Sequence, residues 1–116
     1  MVNHLSLGQR GELIAQAYVR RYCNILHVNW RSGRKEIDII AAKEKQIYFI
    51  EVKTRSTDRF GWPEEAVNAR KEQHIRSVAT DYLLYYDLSP AAIRFDIIAI
   101  TFSGDTYELE HLKDVF

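Results

Sequence analysis

The stretch 36–55, EIDIIAAKEKQIYFIEVKTR, decides how the chain folds. Its two runs, EIDIIAA and QIYFIEVKT, are rich in β-branched and aromatic residues and read as strands. Lys43, Glu44 and Lys45 between them form a break of hairpin length. Among the apolar residues stand Glu36, Asp38, Glu51 and Lys53. Side chains alternate across a strand, and a turn centred near residues 44 and 45 pairs residues whose numbers sum to 89. Asp38 then faces Glu51, Glu36 faces Lys53, and Ile40 faces Phe49. In this register every polar group lies on one face at one end, and the other face, Ile37, Ile39, Ala41, Tyr48, Ile50 and Val52, is wholly apolar. A slip of one residue would scatter the pattern.

Two carboxylates side by side repel unless positive charge sits between them. Lys53 supplies part of that charge. A hard divalent cation supplies more, because Mg²⁺ takes carboxylate and water oxygens and leaves positions for phosphate. Such an ion activates water and neutralises a phosphodiester, and Lys53 beside it is suited to holding the attacking water or stabilising the charged transition state. The alternative is a salt-bridge network at a strand end, since an acid–acid–lysine string is a weak motif alone. Position favours chemistry, because desolvation makes acids within apolar strands a poor source of stability.

Outward from this hairpin, Ser6 and Gln9 have capping-box spacing, so a helix starts near Leu7 and runs to about Tyr22. Leu13, Ile14, Ala17 and Tyr18 recur at helical spacing and are its expected core stripe. NILHVNW reads as a strand over Ile25 to Trp30, and RSGRK as a turn. Residues 55–63 read as a loop. A second helix follows, starting at Pro63 or Ala69 and ending at Tyr86, with Ile75, Val78, Ala79, Tyr82, Leu83 and Tyr86 on one face. Ser89-Pro90 breaks it. AIRFDIIAI (92–100) is a strand, SGDT a turn, and YELEHL (107–112) an edge strand. The expected fold is α/β, a central mixed sheet flanked by helices in the order α-β-β-β-α-β-β, within one domain over 1–116.

The 116 residues suffice for a core without disulfide or metal staples. A single cysteine, Cys23, fits a reducing compartment. No signal-peptide pattern opens the sequence, and no apolar run reaches the ~20 residues that span a bilayer. The expectation is a soluble cytoplasmic protein that does not enter the membrane. Formal charge is zero overall, but residues 1–76 hold 14 basic against 9 acidic side chains and residues 77–116 hold 2 against 7. That split permits a basic face for a polyanion.

GQRGE, NWR, KEIDIIA, FIEVKTR, FGWPEEAV, RKEQHI and RFDIIAI, in that order, resemble the YraN-like bacterial family (uncharacterised protein family 0102). That family is similar to archaeal Holliday-junction resolvases of the PD-(D/E)XK nuclease superfamily. The resemblance implies a restriction-endonuclease-like core and a Mg²⁺-dependent endonuclease acting on DNA, with branched or damaged DNA as the suggested substrate class, in which Mn²⁺ can substitute. It implies Asp38 and Glu51 as metal ligands, Lys53 as the catalytic lysine, and Glu12 of GQRGE as the first-helix acid of the metal site. Glu12 shares a helical row with Ala15, Val19 and Tyr22, which allows it to point toward the sheet, with a solvent-exposed helix acid as the alternative. A homodimer is the matching expectation, since a junction has paired strands to cut.

Arg31, Arg34, Lys35, Arg55, Arg59, Arg70, Lys71 and Arg76 gather on the turns, loop and helix start around these acids. They are expected to contact phosphates, with a solvated surface as the alternative. Lys71 and Gln73 open the second helix, where superfamily nucleases carry a further site residue. Trp62 stacks on a base or plugs the loop. Asp96 partners Arg94 or a helix end. The four histidines lack metal-ligand spacing, and Tyr82, Tyr85 and Tyr86 with Leu83 and Leu84 suggest a dimer contact. Against the nuclease stand two other readings: a non-catalytic nucleic-acid-binding module of the same fold, and a protein-interaction subunit.

Overall fold

The computed structural model describes residues 5–57 and 68–116. Its elements are α1 (Leu7–Arg20), β1 (Asn24–Ser32), β2 (Lys35–Lys43), β3 (Gln46–Ser56), α2 (Ala69–Tyr85), β4 (Ala92–Ser103) and β5 (Thr106–Leu112). The order α-β-β-β-α-β-β is the expected one. The strands lie in chain order, β1-β2-β3-β4-β5. β3 and β4 run parallel and every other pair is antiparallel. A parallel pair needs a crossover, and α2 lies on that connection. The result is an α/β fold with a mixed sheet between two helices, consistent with a restriction-endonuclease-like core.

Both helices start on side-chain caps. Ser6 Oγ accepts from the Gln9 N–H at 3.1 Å while Gln9 Oε1 accepts from the Ser6 N–H at 2.9 Å, the reciprocal box expected from the sequence. Asn68 Oδ1 accepts from the Lys71 N–H at 2.8 Å, so α2 begins at Ala69.

Each face of the sheet carries its own core. Ala15, Val19 and Cys23 pack on Ile39, Ala41, Tyr48, Ile50, Ile98, Ile100 and Phe102. Opposite, Ile75, Val78, Ala79 and Tyr82 of α2 pack on Ile37, Ile40, Ile47, Phe49 and Phe95. The α2 face is the one its periodicity predicts, with Tyr86 at its margin, stacked on His27 at 4.9 Å.

The α1 stripe differs from expectation. Gly11, Ala15 and Val19 are buried, whereas Leu13 is 52% exposed and Ala17 is exposed. Two apolar rows run side by side on this helix, and the row of small residues is the one that can approach β3. A Cβ on Gly11 would collide with the Thr54 side chain. Leu13, Ile14, Ala17 and Tyr18 turn toward β5 and line a shallow groove with Tyr107 and Leu109.

The hairpin register holds, and then it stops. Lys43↔Gln46 through Ile39↔Ile50 all sum to 89, as expected, and no rung follows. Asp38 and Glu51 are therefore not a rung, and Glu36 does not face Lys53. Glu36 pairs with Arg31 of β1, 3.0 Å away. Ile37 does not share a face with Ile39 either. It joins Ile40 in the α2-side core, so alternation breaks at Asp38. At this point Asp38 Oδ2 accepts the Val52 N–H at 2.8 Å, so a carboxylate stands where the ladder would have placed a backbone carbonyl.

Asp96 has the role expected for it. Fully buried, it accepts two hydrogen bonds from Arg94, each 2.9 Å, and one from the Asp114 N–H at 3.0 Å. His111 Nε2 meets it at 2.7 Å, and the Tyr18 hydroxyl closes the chain on His111 Nδ1 at 2.8 Å. Among the described residues no helix is long and apolar enough to cross a membrane.

Candidate functional site

Where the β2–β3 ladder ends, the sheet opens into a cleft of about 700 Å³. Glu12 from α1, Glu36 and Asp38 from β2, and Glu51 and Lys53 from β3 line it, with Asn29, Arg34, Lys71 and His74 around them. All four residues expected to be catalytic, Glu12, Asp38, Glu51 and Lys53, therefore share one cleft. The close approach of α1 to β3 at Gly11 brings Glu12 there.

The electrostatics separate these acids from ordinary surface carboxylates. Glu51 is 7% exposed. Burial, and next the neighbouring Asp38 carboxylate, push it up to about 7 from an ordinary 4.5, against the pull of Lys71 and Lys53. Asp38 is also raised. Burial is the main cause, opposed by the Val52 N–H and by the hydrogen bond from Glu51. The two carboxyls are close enough that each raises the cost of ionising the other, on top of burial. Glu12 is raised by partial burial and then by the charges of Asp38 and Glu36. Among the described residues Lys71 forms an ion pair with Glu51, its Nζ lying 3.7 Å from Oε2.

A pair of acids held together with too little positive charge is a donor set that suits a hard divalent cation. Its charge would offset their repulsion and let both carboxylates ionise. Asp38 and Glu51 could hold such an ion from the floor of the cleft. Glu12 borders the same cleft but stands off. Among the described residues, no three His, Cys, Asp or Glu side chains converge as a ready ligand group.

The expected phosphate contacts divide. Arg34 and Lys71 line the cleft, and Arg70 borders an adjoining hollow with Asn68, Lys71 and His74. Arg31 pairs with Glu36, while Lys35 binds Asp81 at 3.1 Å and also Ser77. Arg76 pairs with Glu72 at 2.8 Å. Arg55 donates to Thr101 Oγ1 at 3.2 Å. Arg59 and Trp62 lie outside the described residues. Leu84 and Tyr85 are each 75% exposed, but Tyr82 is buried, its hydroxyl 2.8 Å from His27 Nδ1.

Sequence reasoning missed three features of the site. His74 lines the cleft from α2, Gly11 sets the depth of α1, and Asn29 lies opposite Asp38 with a φ of +50°. Asn29 alone left a signal, a polar residue poorly suited to strands inside an otherwise good one.

The model of the uncharacterised protein family UPF0102 matches residues 11–100. A protein of Bacteroides thetaiotaomicron is 38% identical across all of this chain and 96% of its own length. One of Geobacter metallireducens is 40% identical, covering 99% of this chain and 95% of the relative. One of Syntrophotalea carbinolica is 42% identical, covering 97% and 92%. Each is named only as a UPF0102 protein.

Proposed function

Since the chain belongs to uncharacterised protein family UPF0102, a name that assigns no chemistry, we propose its function from the cleft itself: a Mg²⁺-dependent endonuclease that hydrolyses DNA phosphodiester bonds. The observation that carries this reading is the Asp38–Glu51 pair, a half-buried and a buried acid brought into one cleft at the broken end of a ladder, with Lys53 beside them. A divalent ion held by this pair supplies the positive charge that a phosphodiester needs as its own negative charge grows. Lys53, on the open side of the cleft, is suited to orienting the attacking water or stabilising the transition state. Glu12 adds negative potential that favours cation entry. Arg34, Arg70 and Lys71 give the acidic floor a basic rim, as admitting a polyanion requires. Branched or damaged DNA is the substrate class suggested by the resolvase resemblance, in a cytoplasmic setting. A homodimer through exposed Leu84 and Tyr85 belongs to the same reading, and sedimentation at high micromolar concentration checks it: a clean monomer removes it.

Asp38→Asn tests the assignment. Calorimetric titration of Mn²⁺ should show binding to wild type and a loss of about 10–100-fold in affinity in the variant. Cleavage of a panel of branched, flapped and single-stranded DNA should fall below detection. Unchanged cleavage by the variant sinks the site. Salt-dependent DNA binding with no metal binding and no cleavage by either protein supports the binding-module alternative.

A further inference from the structure

We infer that Asn29 is a positioning residue for the site: its left-handed backbone kink rotates the β1–β2 hairpin so that Asp38 leaves the sheet face and turns its carboxylate onto the Val52 N–H in the cleft. This inference rests on the nuclease reading only for what the carboxylate then does.

Both strands flip faces at one rung. Val28 pairs with Ile39, which belongs to the α1-side core, and two residues on, Trp30 pairs with Ile37, which belongs to the α2-side core. Residues two apart on a strand share a face, so each strand has turned over between them. The residues at the turnover are Asn29 and Asp38, which would pair in the same register and do not. Asn29 has a φ of +50°. The other non-glycine residues of positive φ among those described, Glu44, Asp87 and Asp114, sit in turns or past element ends. Asparagine accepts this region better than most residues, and β-branched ones hardly at all.

The surroundings hold the kink in place. Beyond it, the hairpin tip is drawn to α2: Trp30 meets the Tyr82 ring at 5.1 Å, Lys35 binds Asp81 at 3.1 Å, and Ser32 donates to Asp81 at 2.8 Å. Before it, Val28 and Ile39 keep the α1-side register. Strained backbone persists where the fold over-determines it, and such places cluster at functional sites. A flat strand here would continue the β2–β3 ladder and close the cleft.

Asn29→Val and Asn29→Gly separate backbone from side chain. Valine disfavours positive φ; glycine adopts it freely and removes the amide. The first readout is the Val52 amide by NMR, through its hydrogen-exchange protection and its chemical shift. The second is Mn²⁺ affinity by calorimetry. In Asn29→Val, Val52 protection and Mn²⁺ affinity should each fall roughly tenfold or more, as when the support of a metal ligand is lost. In Asn29→Gly both should stay near wild type. A Val52 amide unchanged in Asn29→Val overturns the inference, and so does its loss in folded Asn29→Gly, which would place the role in the amide. If wild type binds no Mn²⁺ while Val52 responds as described, the positioning role stands and the nuclease reading falls.

Discussion

Glu51→Gln will unfold at a higher temperature than the wild-type protein at pH 8 and will lose Mn²⁺ binding. In the folded chain Glu51 titrates near 7, raised first by burial and then by Asp38, from an ordinary 4.5. A carboxyl whose folded pKa is raised binds more protons folded than unfolded, so stability falls as pH rises between those values. Below about 4.5 the acid is protonated in both states and costs nothing. Between 4.5 and about 7 the wild type loses stability, and above 7 the loss is complete. The span corresponds to about 3 kcal/mol, roughly 10 °C in melting temperature for a chain of this size. Glutamine has the shape of the protonated acid and keeps a donor for Asp38 at every pH, so the variant should escape the loss. Scanning calorimetry from pH 4 to 9 in chelator checks it. The two curves should coincide at the acid end and part through pH 5 to 7. Parallel curves would show that Glu51 titrates normally. Adding Mn²⁺ at pH 8 should raise the wild-type midpoint by linkage and leave the variant unmoved. A gain in stability with a loss of binding marks a residue kept for function against the interest of the fold.

Much of this architecture is legible in the chain, because hydrophobic period and caps are local. The Ser6–Gln9 box, the α2 face and the 89 register follow from a few neighbouring residues each. What the sequence hides depends on contacts distant in the chain. Two apolar rows on α1 have the same period, and only the close approach of Gly11 to Thr54 of β3, where any Cβ would collide, selects the row of small residues. Strict alternation assigns Ile37 to the face of Ile39. The turnover at Asn29 and Asp38 breaks it, and there a carboxylate takes the Val52 N–H in place of a ladder bond. The same blindness applies to charges. Arg31, Arg34 and Lys35 look alike in sequence, yet Arg31 and Lys35 pair with Glu36 and Asp81 while Arg34 lines the cleft. Asp38, Glu51 and Lys53 beside them are legible as a set because apolar strands make intruding charges conspicuous, whereas Glu12, on α1, is joined to them only by the family resemblance.

Asp96→Ala should cost about 3–5 kcal/mol, the usual penalty for stripping one partner from a buried ion pair. That is a large part of the 5–15 kcal/mol typical of a domain. Arg94, His111 and the Asp114 N–H would all lose their acceptor at once. Burial alone would raise the Asp96 carboxyl, but His111, Arg94 and the Asp114 N–H outweigh it and hold the group below its ordinary range. Its contribution is therefore present above the unfolded value near 3.9 and lost as pH falls through the lower folded value. Urea titration of the variant at pH 7 measures the loss, and a change under 1 kcal/mol would mean that the network stabilises nothing. Where folded variant remains, its Mn²⁺ affinity should match wild type, because Asp96 sits in the α1-side network and lines no part of the cleft. Asp96 and Glu51 are both buried acids on adjacent parallel strands, and their titrations move in opposite directions. The protein surrounds Asp96 with its own donors, so that burial is structural. Glu51 it leaves against another acid, with a lysine 3.7 Å away. Among the described residues Lys71 and Lys53 only partly offset that repulsion, which is the physical argument for the proposal that function resides at Glu51 and not at Asp96.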